Sequence, residues 1–381
     1  MAIRWTPHPS LAFTEFRGIA MTGFAPCVAV AFDGPIDIIG DVHGEYDALR
    51  ALLVQLGYDD EGRHPEGRRL VFIGDLCDRG PDSPAVVEWV MAAVAAGRAQ
   101  CLLGNHELLL LVGESRDSLR WFIDPSHAEL QPGGKYAHCR VVPPERKAAY
   151  LAFFDSLPLV LERPDLRLVH AAWWPAAIDA LRAAGTPGNL ALYEAATQRI
   201  ETQLEVRGIT QREAEERSEH ADQLKDGQGN PPLLPALAEA NLRRNLDNAV
   251  RVLTFGPDCL ATRPYYVMER WRMAERDRWW ERYTDDVPVV MGHYWRKFET
   301  SPGTAAPSMP PSFDPTLGPS AWLGPKRNIY CVDFSVGARF VERSRGQTQF
   351  RTHLGALRWP ECQLVIETGV VVATEPGFVS G

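Results

Sequence analysis

Three short loops carry side chains suited to work on a metal ion or a phosphate. They read Gly40-Asp41-Val42-His43-Gly44, Gly74-Asp75-Leu76-Cys77-Asp78-Arg79-Gly80 and Gly104-Asn105-His106-Glu107. The Asp, Asn and His side chains are hard oxygen donors and imidazoles, the ligand types that transition-metal ions take. Each leading glycine precedes an Asp or Asn, which suits a tight turn where backbone must come close to an ion or a phosphate. Two more histidines follow apolar runs, Leu166 to Val169 before His170 and Val287 to Met291 before Gly292-His293. Singly these residues say little, because an Asp after a strand-ending glycine is usually a turn or cap residue. Isolated histidines such as His127, His138, His220 and His353 are given no role. The argument rests on the ordered set D-x-H, D-x-x-D-R, N-H, H and G-H, each member following a β-like run.

The elements that must position these loops are legible in the first half of the chain. Ile36 to Ile39 is a short strand ending at Gly40, and Leu49, Leu52, Leu53 and Leu56 then recur at helical spacing until Gly57 stops the helix. Arg69 to Ile73 predicts a second strand, with Ser83 as cap and Pro84 at the first position of the helix that follows, and Gly97 beyond its end. Gln100 to Leu103 predicts a third strand. Strands alternating with helices argue for a largely parallel sheet whose functional loops lie at the strands' carboxyl ends.

In these residues the chain resembles the calcineurin-like metallophosphoesterases, and most closely the branch that contains phosphoprotein phosphatases and bacterial diadenosine tetraphosphatases. The motifs GDxHG, GDxxDRG and GNHE occur in order from Ile36 to Glu107, and the likeness continues more thinly through His170, His293 and the segment from Asp333 to Arg358. The resemblance implies an α/β (α+β) sandwich of two mixed β-sheets flanked by helices. It implies that Asp41, His43 and Asp75 hold one metal ion, that Asp75, Asn105, His170 and His293 hold another, and that Asp75 bridges them. It further implies that His106 donates the leaving-group proton, with Asp78 orienting the imidazole and Asn105 also touching substrate.

The chemistry accounts for those residue types. A phosphate monoester dianion repels hydroxide, and two ions about 3.5 to 4 Å apart neutralise that charge and activate a shared water. Arg79 offers a guanidinium fork that matches two phosphate oxygens, and is assigned to substrate binding and catalysis. The resemblance also implies a second phosphate-binding arginine, for which no motif aligns; Arg251, Arg263, Arg272 and Arg296 are the candidates. Mixed imidazole and carboxylate ligation suits two divalent transition ions, manganese first, with iron, zinc or nickel as alternatives.

Beyond the motifs, the sequence predicts a single domain over residues 1–381 with a mainly helical insertion or cap at 180–285, in which Gln198 to Lys225 and Ala236 to Leu253 read as helices. The aromatics around it, Trp173, Trp174, Trp271, Trp279, Trp280, Tyr294 and Trp295, suit packing of the insertion on the core better than stacking of a base. Residues 301–325 are rich in Pro, Gly and Ser and read as a mobile loop. Asn328 to Phe334 and Gln363 to Thr374 are expected to complete the second sheet. The apolar run from Gly18 to Phe32 is broken by Gly23 and Pro26 and reads as strand and loop rather than a leader or membrane span.

A net charge of −9 and a pI near 5.6 argue against nucleic acid or anionic membrane as partners. Seven cysteines without a C-x-x-C pair form neither a disulfide framework nor a zinc ribbon, which points to a reducing cytoplasm. The sequence leaves oligomeric state open. The expected function is hydrolysis of phosphate monoesters, as in serine/threonine phosphoprotein phosphatases, by a water activated at the metals. Hydrolysis of diadenosine polyphosphates or a phosphodiester is the alternative, and a catalytically inactive binding domain a third reading.

Overall fold

The four residues Ile36–Ile39 form a strand in which Ile36 and Ile38 face one side and Asp37 and Ile39 the other, as the two-residue period of a strand requires. Both sides are buried, so this strand lies at the middle of a layered fold. The computed structural model describes residues 26–185, 187–267, 269–299, 312–314 and 316–378. The strands are β1 (Val28–Val30), β2 (Ile36–Ile39), β3 (Arg69–Phe72), β4 (Ala99–Cys101), β5 (Val160–Arg163), β6 (Leu166–Val169), β7 (Asp258–Val267), β8 (Arg270–Arg276), β9 (Val289–Met291), β10 (Ile329–Cys331), β11 (Gly355–Trp359), β12 (Gln363–Ile366) and β13 (Val371–Ala373). A six-stranded sheet has the order β13-β12-β11-β2-β3-β4, a five-stranded sheet the order β1-β5-β6-β9-β10, and β7-β8 form a separate hairpin.

Both large sheets are mixed. In the first, β2, β3 and β4 run parallel while β11 lies antiparallel to β2. In the second, β6, β9 and β10 run parallel while β5 is antiparallel to β6. The parallel crossovers are helices α1 (Tyr46–Leu56) and α2 (Ser83–Ala95), and α3 (Asn105–Leu111) follows β4. Ile36, Ile38, Val71 and Leu102 from one sheet meet Leu161, Leu168, Val290 and Tyr330 from the other in a buried inter-sheet layer. A second core lies between the outer sheet faces and the helices, including Leu49, Leu52, Leu53 and Leu56 of α1. Those four leucines are the ones whose spacing predicts the helix, and Gly57 ends it in the left-handed conformation at φ 91°.

The cap of α2 differs from expectation. Asp82, not Ser83, is its N-cap: the Asp82 carboxylate accepts from Ala85 N at 2.9 Å, while the Ser83 hydroxyl accepts from Asp78 N at 2.9 Å and so ties the second loop to the helix. The strands near the carboxyl end also divide. β10 joins the five-stranded sheet, whereas β12 and β13 extend the six-stranded one, so the two segments complete different sheets. Short α4 (Arg120–Ile123) and α5 (Lys147–Ser156) connect α3 to β5.

Between β6 and β9 lie α6 (Pro175–Ala184), α7 (Asn189–Val206), α8 (Ile209–Glu219), α9 (Ala221–Leu224), α10 (Pro235–Leu246) and α11 (Ala249–Phe255), followed by the β7-β8 hairpin. The segment is mainly helical, but helical periodicity does not predict the hairpin. Gly208, at φ 66°, separates α7 from α8, and Asn248 caps α11 by accepting from Arg251 N at 3.2 Å, so each expected long helix is broken by a residue suited to ending one. Helix α12 (Arg339–Ser344) precedes β11. Of the expected strand from Gly18 to Phe32, residues 18–25 lie outside the described residues, as do 301–311 and 315 of the expected mobile loop. No helix among the described residues is long and apolar enough to cross a membrane, and all seven cysteines are free thiols.

Candidate metal and phosphate site

The loops after β2 and β3 are bound to each other through their backbones, and the loop after β4 joins them through the Glu107 and Asp75 side chains. Val42 N and His43 N donate to the Asp75 carbonyl at 3.0 and 2.8 Å, and Gly44 N donates to the Leu76 carbonyl at 2.8 Å. Glu107 is buried at the start of α3, and its carboxylate accepts from the backbone N–H of Asp75, Leu76 and Gly104 at 2.9, 2.8 and 3.1 Å. Gly74 and Gly104 permit this closeness: a Cβ on Gly104 would stand 2.2 Å from Asp75 N, and Gly74, at φ 104°, would place one 2.6 Å from Gly104 N. Several site residues other than glycine also hold left-handed backbone: His43 at φ 47°, Asp75 at 50°, Asp78 at 73°, Arg79 at 70° and His293 at 68°. Each such residue costs on the order of 1–2 kcal/mol, and strain of this kind concentrates where side chains are aimed for a purpose.

The side chains converge on the Asp75 carboxylate. Its Oδ2 is 3.6 Å from His43 Nε2, its Oδ1 is 3.5 Å from His170 Nε2, and Oδ1 also accepts from His106 N at 2.9 Å. His43 Nδ1 faces the Cys77 carbonyl at 3.0 Å and His170 Nδ1 faces the Ile73 carbonyl at 2.9 Å. A carbonyl accepts only, so both Nδ1 atoms carry hydrogen and both Nε2 atoms present lone pairs. His170 Nε2 and His293 Nδ1 lie 3.1 and 2.7 Å from Asn105 Oδ1, itself an acceptor. His293 Nε2 is buried and has no partner. Asp41 is buried beside them, 4.0 Å from His43 Nε2, and accepts from His293 N at 3.2 Å.

Lone pairs aimed at lone pairs, in a buried place, are what a cation relieves. Two close-set groups of ligand atoms share Asp75: His43, Asp75 and His106, and Asp75, His170 and His293, the atoms of each lying within 4.8 Å of one another. The expected ligand residues are therefore together, although the first group contains His106 where sequence reasoning places Asp41. Burial, with the neighbouring Asp333 and Asp75 charges, pushes the Asp41 carboxyl well above its ordinary range; burial likewise pushes Asp75 up to about 7 and His170 down to about 4. Without cations the carboxylates repel one another, so this donor set fits bound metal ions.

Beside the donors lies a proton-handling pair. His106 Nδ1 makes a short hydrogen bond to Asp78 Oδ2, and the other oxygen of Asp78 accepts from Trp121 Nε1. Burial pushes Asp78 up to about 7 and, together with the Arg79 charge, holds His106 well below its ordinary value. The Arg79 guanidinium donates to His106 Nε2 at 2.9 Å and to His43 Nε2 at 3.1 Å, and lies 4.8 Å from the centre of the Trp295 ring.

Sequence reasoning misses several contributors. Trp121 had no motif, and its link to Asp78 spans 43 positions. Asp333 is buried and accepts from Trp295 N and Ser335 N at 2.9 and 2.8 Å, close enough to Asp41 to raise its pKa. Of the candidate arginines, Arg296 is structural: it is buried and donates to the carbonyls of Gly318, Ala321 and Cys331. Arg263 is exposed on β7. Trp173, Trp279, Trp280 and Tyr294 are buried packing residues, whereas Trp295 is 41% exposed.

Residues 34–181 match the family model of the calcineurin-like phosphoesterases. Bis(5'-nucleosyl)-tetraphosphatase PrpE (asymmetrical) of Bacillus subtilis is 48% identical over 145 residues, covering 35% of this chain and 56% of that protein. The PrpE protein of Geobacillus thermodenitrificans is 50% identical over 145 residues, with 36% and 56% covered. The chain thus spans about half the length of the curated relatives it matches. Among solved structures, a putative diadenosine tetraphosphatase aligns over 91% of this chain and 98% of its own at 15% identity and a TM-score of 0.39. A cold-active protein-tyrosine phosphatase of a Shewanella species aligns over 93% and 83% at 15% identity and a TM-score of 0.45.

Proposed function

We propose that the protein is a metal-dependent hydrolase of phosphate bonds whose substrates are dinucleoside polyphosphates. The observation that carries the hydrolase reading is the Asp75 carboxylate, set between the lone pairs of His43 and His170 with its oxygens 3.6 and 3.5 Å away. On this reading Asp41, His43 and Asp75 hold one ion, Asp75, Asn105, His170 and His293 hold a second, and His106 stands at the rim of the first. Bound divalent ions would neutralise phosphate charge and supply an activated water at neutral pH. The substrate class is supported by the names of the Bacillus and Geobacillus relatives, each matched over 145 residues at 48% and 50% identity. That reverses the order expected from sequence, in which phosphate monoesters came first.

The chain's own residues divide the remaining work. Arg79 is already fork-shaped toward the site, and an incoming phosphate draws its two donors away from His43 and His106. His106 Nε2 is then free to hold a proton, with the Asp78 carboxylate favouring the imidazolium and Trp121 holding Asp78 in place. That proton passes to the departing oxygen.

The test is a substrate panel run with added manganese: diadenosine tetraphosphate, a phosphoserine peptide, an aryl phosphate and a cyclic phosphodiester. The reading expects kcat/KM for the dinucleotide to exceed that for the phosphopeptide at least tenfold. The opposite order restores the monoester reading, and no turnover of any of the four overturns the hydrolase assignment.

A further inference from the structure

The segment between β6 and β9 encloses a cavity of about 190 Å3 among α7, α10, α11 and the β7-β8 hairpin. Its charged lining consists of Glu201, Arg244, Arg251, Asp258 and Arg272, with the Tyr193 ring beside them. Two of the arginines differ from the third. Arg244 is committed to Glu201 at 2.7 Å and to Glu213 at 3.0 Å. Arg251, by contrast, makes one long hydrogen bond to the Tyr193 hydroxyl at 3.4 Å, and its Nε is buried without a partner. Arg272 is half-buried on β8, and no hydrogen bond or ion pair holds its guanidinium among the described residues. The Asp258 carboxylate shares the space and acts electrostatically on Arg251 and Arg272, but no hydrogen bond or ion pair joins it to either among the described residues.

A desolvated guanidinium that is not hydrogen-bonded to a carboxylate is costly, and an oxyanion ligand would complete its hydrogen bonding. The position fits such a ligand. The Arg251 guanidinium lies 4.8 Å from the centre of the Phe255 ring, and that ring lies 6.5 Å from the His293 ring, so Phe255 stands between Arg251 and the donor cluster. Size narrows the choice: 190 Å3 is below the roughly 300–1,000 Å3 of pockets for drug-sized ligands, which suits one or two phosphate groups rather than a whole nucleotide.

We propose that this cavity is an oxyanion site, with Arg251 and Arg272 binding phosphate groups of a nucleoside polyphosphate that lie beyond the bond being cleaved. The assignment of those phosphates to a substrate rests on the dinucleoside polyphosphate reading; the oxyanion chemistry of the cavity does not. Guanidinium forks match pairs of phosphate oxygens, and Tyr193 adds a hydroxyl donor.

Calorimetric titration of the full chain with inorganic tripolyphosphate tests the site directly. Arg272→Gln and Arg251→Gln are each expected to weaken binding roughly tenfold, the scale of a lost charge-assisted hydrogen bond. Arg79→Gln should leave a component that still depends on Arg272. Because Arg251 also packs on Phe255, the melting temperature of each variant is measured, and Arg272→Gln, on the hairpin, decides if Arg251→Gln fails to fold. Unchanged affinity in a folded Arg272→Gln variant overturns the proposal. A second arm identifies the source of the phosphate: a larger rise in KM for diadenosine tetraphosphate than for an aryl phosphate supports substrate binding. Weakened tripolyphosphate binding with no change in that KM instead overturns the substrate assignment in favour of a free phosphate ligand. If the wild-type chain fails to hydrolyse any dinucleotide, the functional reading falls, and the titration still judges the cavity.

Discussion

His106 holds two possible roles that geometry places within one residue's reach. Its ring belongs to a close-set donor group with His43 and Asp75, and it is also hydrogen-bonded through Nδ1 to Asp78. A ligand and a proton donor respond differently to substitution. If His106 protonates the leaving oxygen, His106→Asn keeps the metal content of the wild type and lowers turnover of a poor, alkyl leaving group by roughly 10² to 10⁴. An activated aryl ester departs as its anion and should lose distinctly less. Asp78→Asn is expected to show the same dependence in weaker form, since it disturbs only the orientation and charge of the imidazole. Elemental analysis showing lost metal in the His106 variant, or equal losses on both esters, would make His106 a ligand instead.

At the scale of elements, the site depends on segments that meet from opposite ends of the chain. The short helical turn Val336–Ala338 packs directly on the loop after β2: a Cβ on Gly337 would lie 2.2 Å from His43 Cδ2 and 2.8 Å from its Cγ. No rotamer of the added methyl avoids this, because the Cβ position is set by the backbone. Gly337→Ala is therefore expected to displace the His43 imidazole and weaken metal affinity about 10- to 100-fold, the usual effect of disturbing a group that orients a ligand. Titration of the variant with manganese checks this, and wild-type affinity would refute it. The same dependence explains Glu107, which holds the second and third loops together through hydrogen bonds to Asp75, Leu76 and Gly104.

The whole molecule carries an unbalanced charge cluster at its centre. Asp41, Asp75 and Asp333 are all buried, and burial raises the pKa of each, helped at Asp41 by the Asp333 and Asp75 charges and at Asp75 by those of Asp78 and Asp333. Ions that bind this cluster only in the folded state stabilise the fold by mass action, by about 2.7 kcal/mol at a hundredfold excess over Kd. The protein as purified should contain up to two transition ions. Chelation should lower Tm by a few degrees and abolish turnover, both restored by manganese. Asp75→Asn should blunt the thermal response and remove activity, because the shared carboxylate serves both donor groups. A chelator-resistant Tm and activity, with no metal found by elemental analysis, would remove the metal reading at its base.

What the sequence by itself determined is local in origin. The leucine spacing and Gly57 define α1, and the two-residue period defines β2. The glycine-led loops place Asp41, His43, Asp75, Asn105 and His106 at strand ends, because turn chemistry and side-chain period are written in neighbouring residues. His170 and His293 were legible for the same reason, each following an apolar strand. Tertiary structure alone decided what depends on residues far apart in the chain. It sends β10 to one sheet and β12 to the other, makes Arg296 a clamp on loop carbonyls, and gives Asp78 its Trp121 partner. It also leaves Arg251 and Arg272 facing a cavity without a committed carboxylate. Strand pairing, buried charge compensation and cavity lining are set by long-range contacts, and such contacts leave no period in the sequence from which to read them.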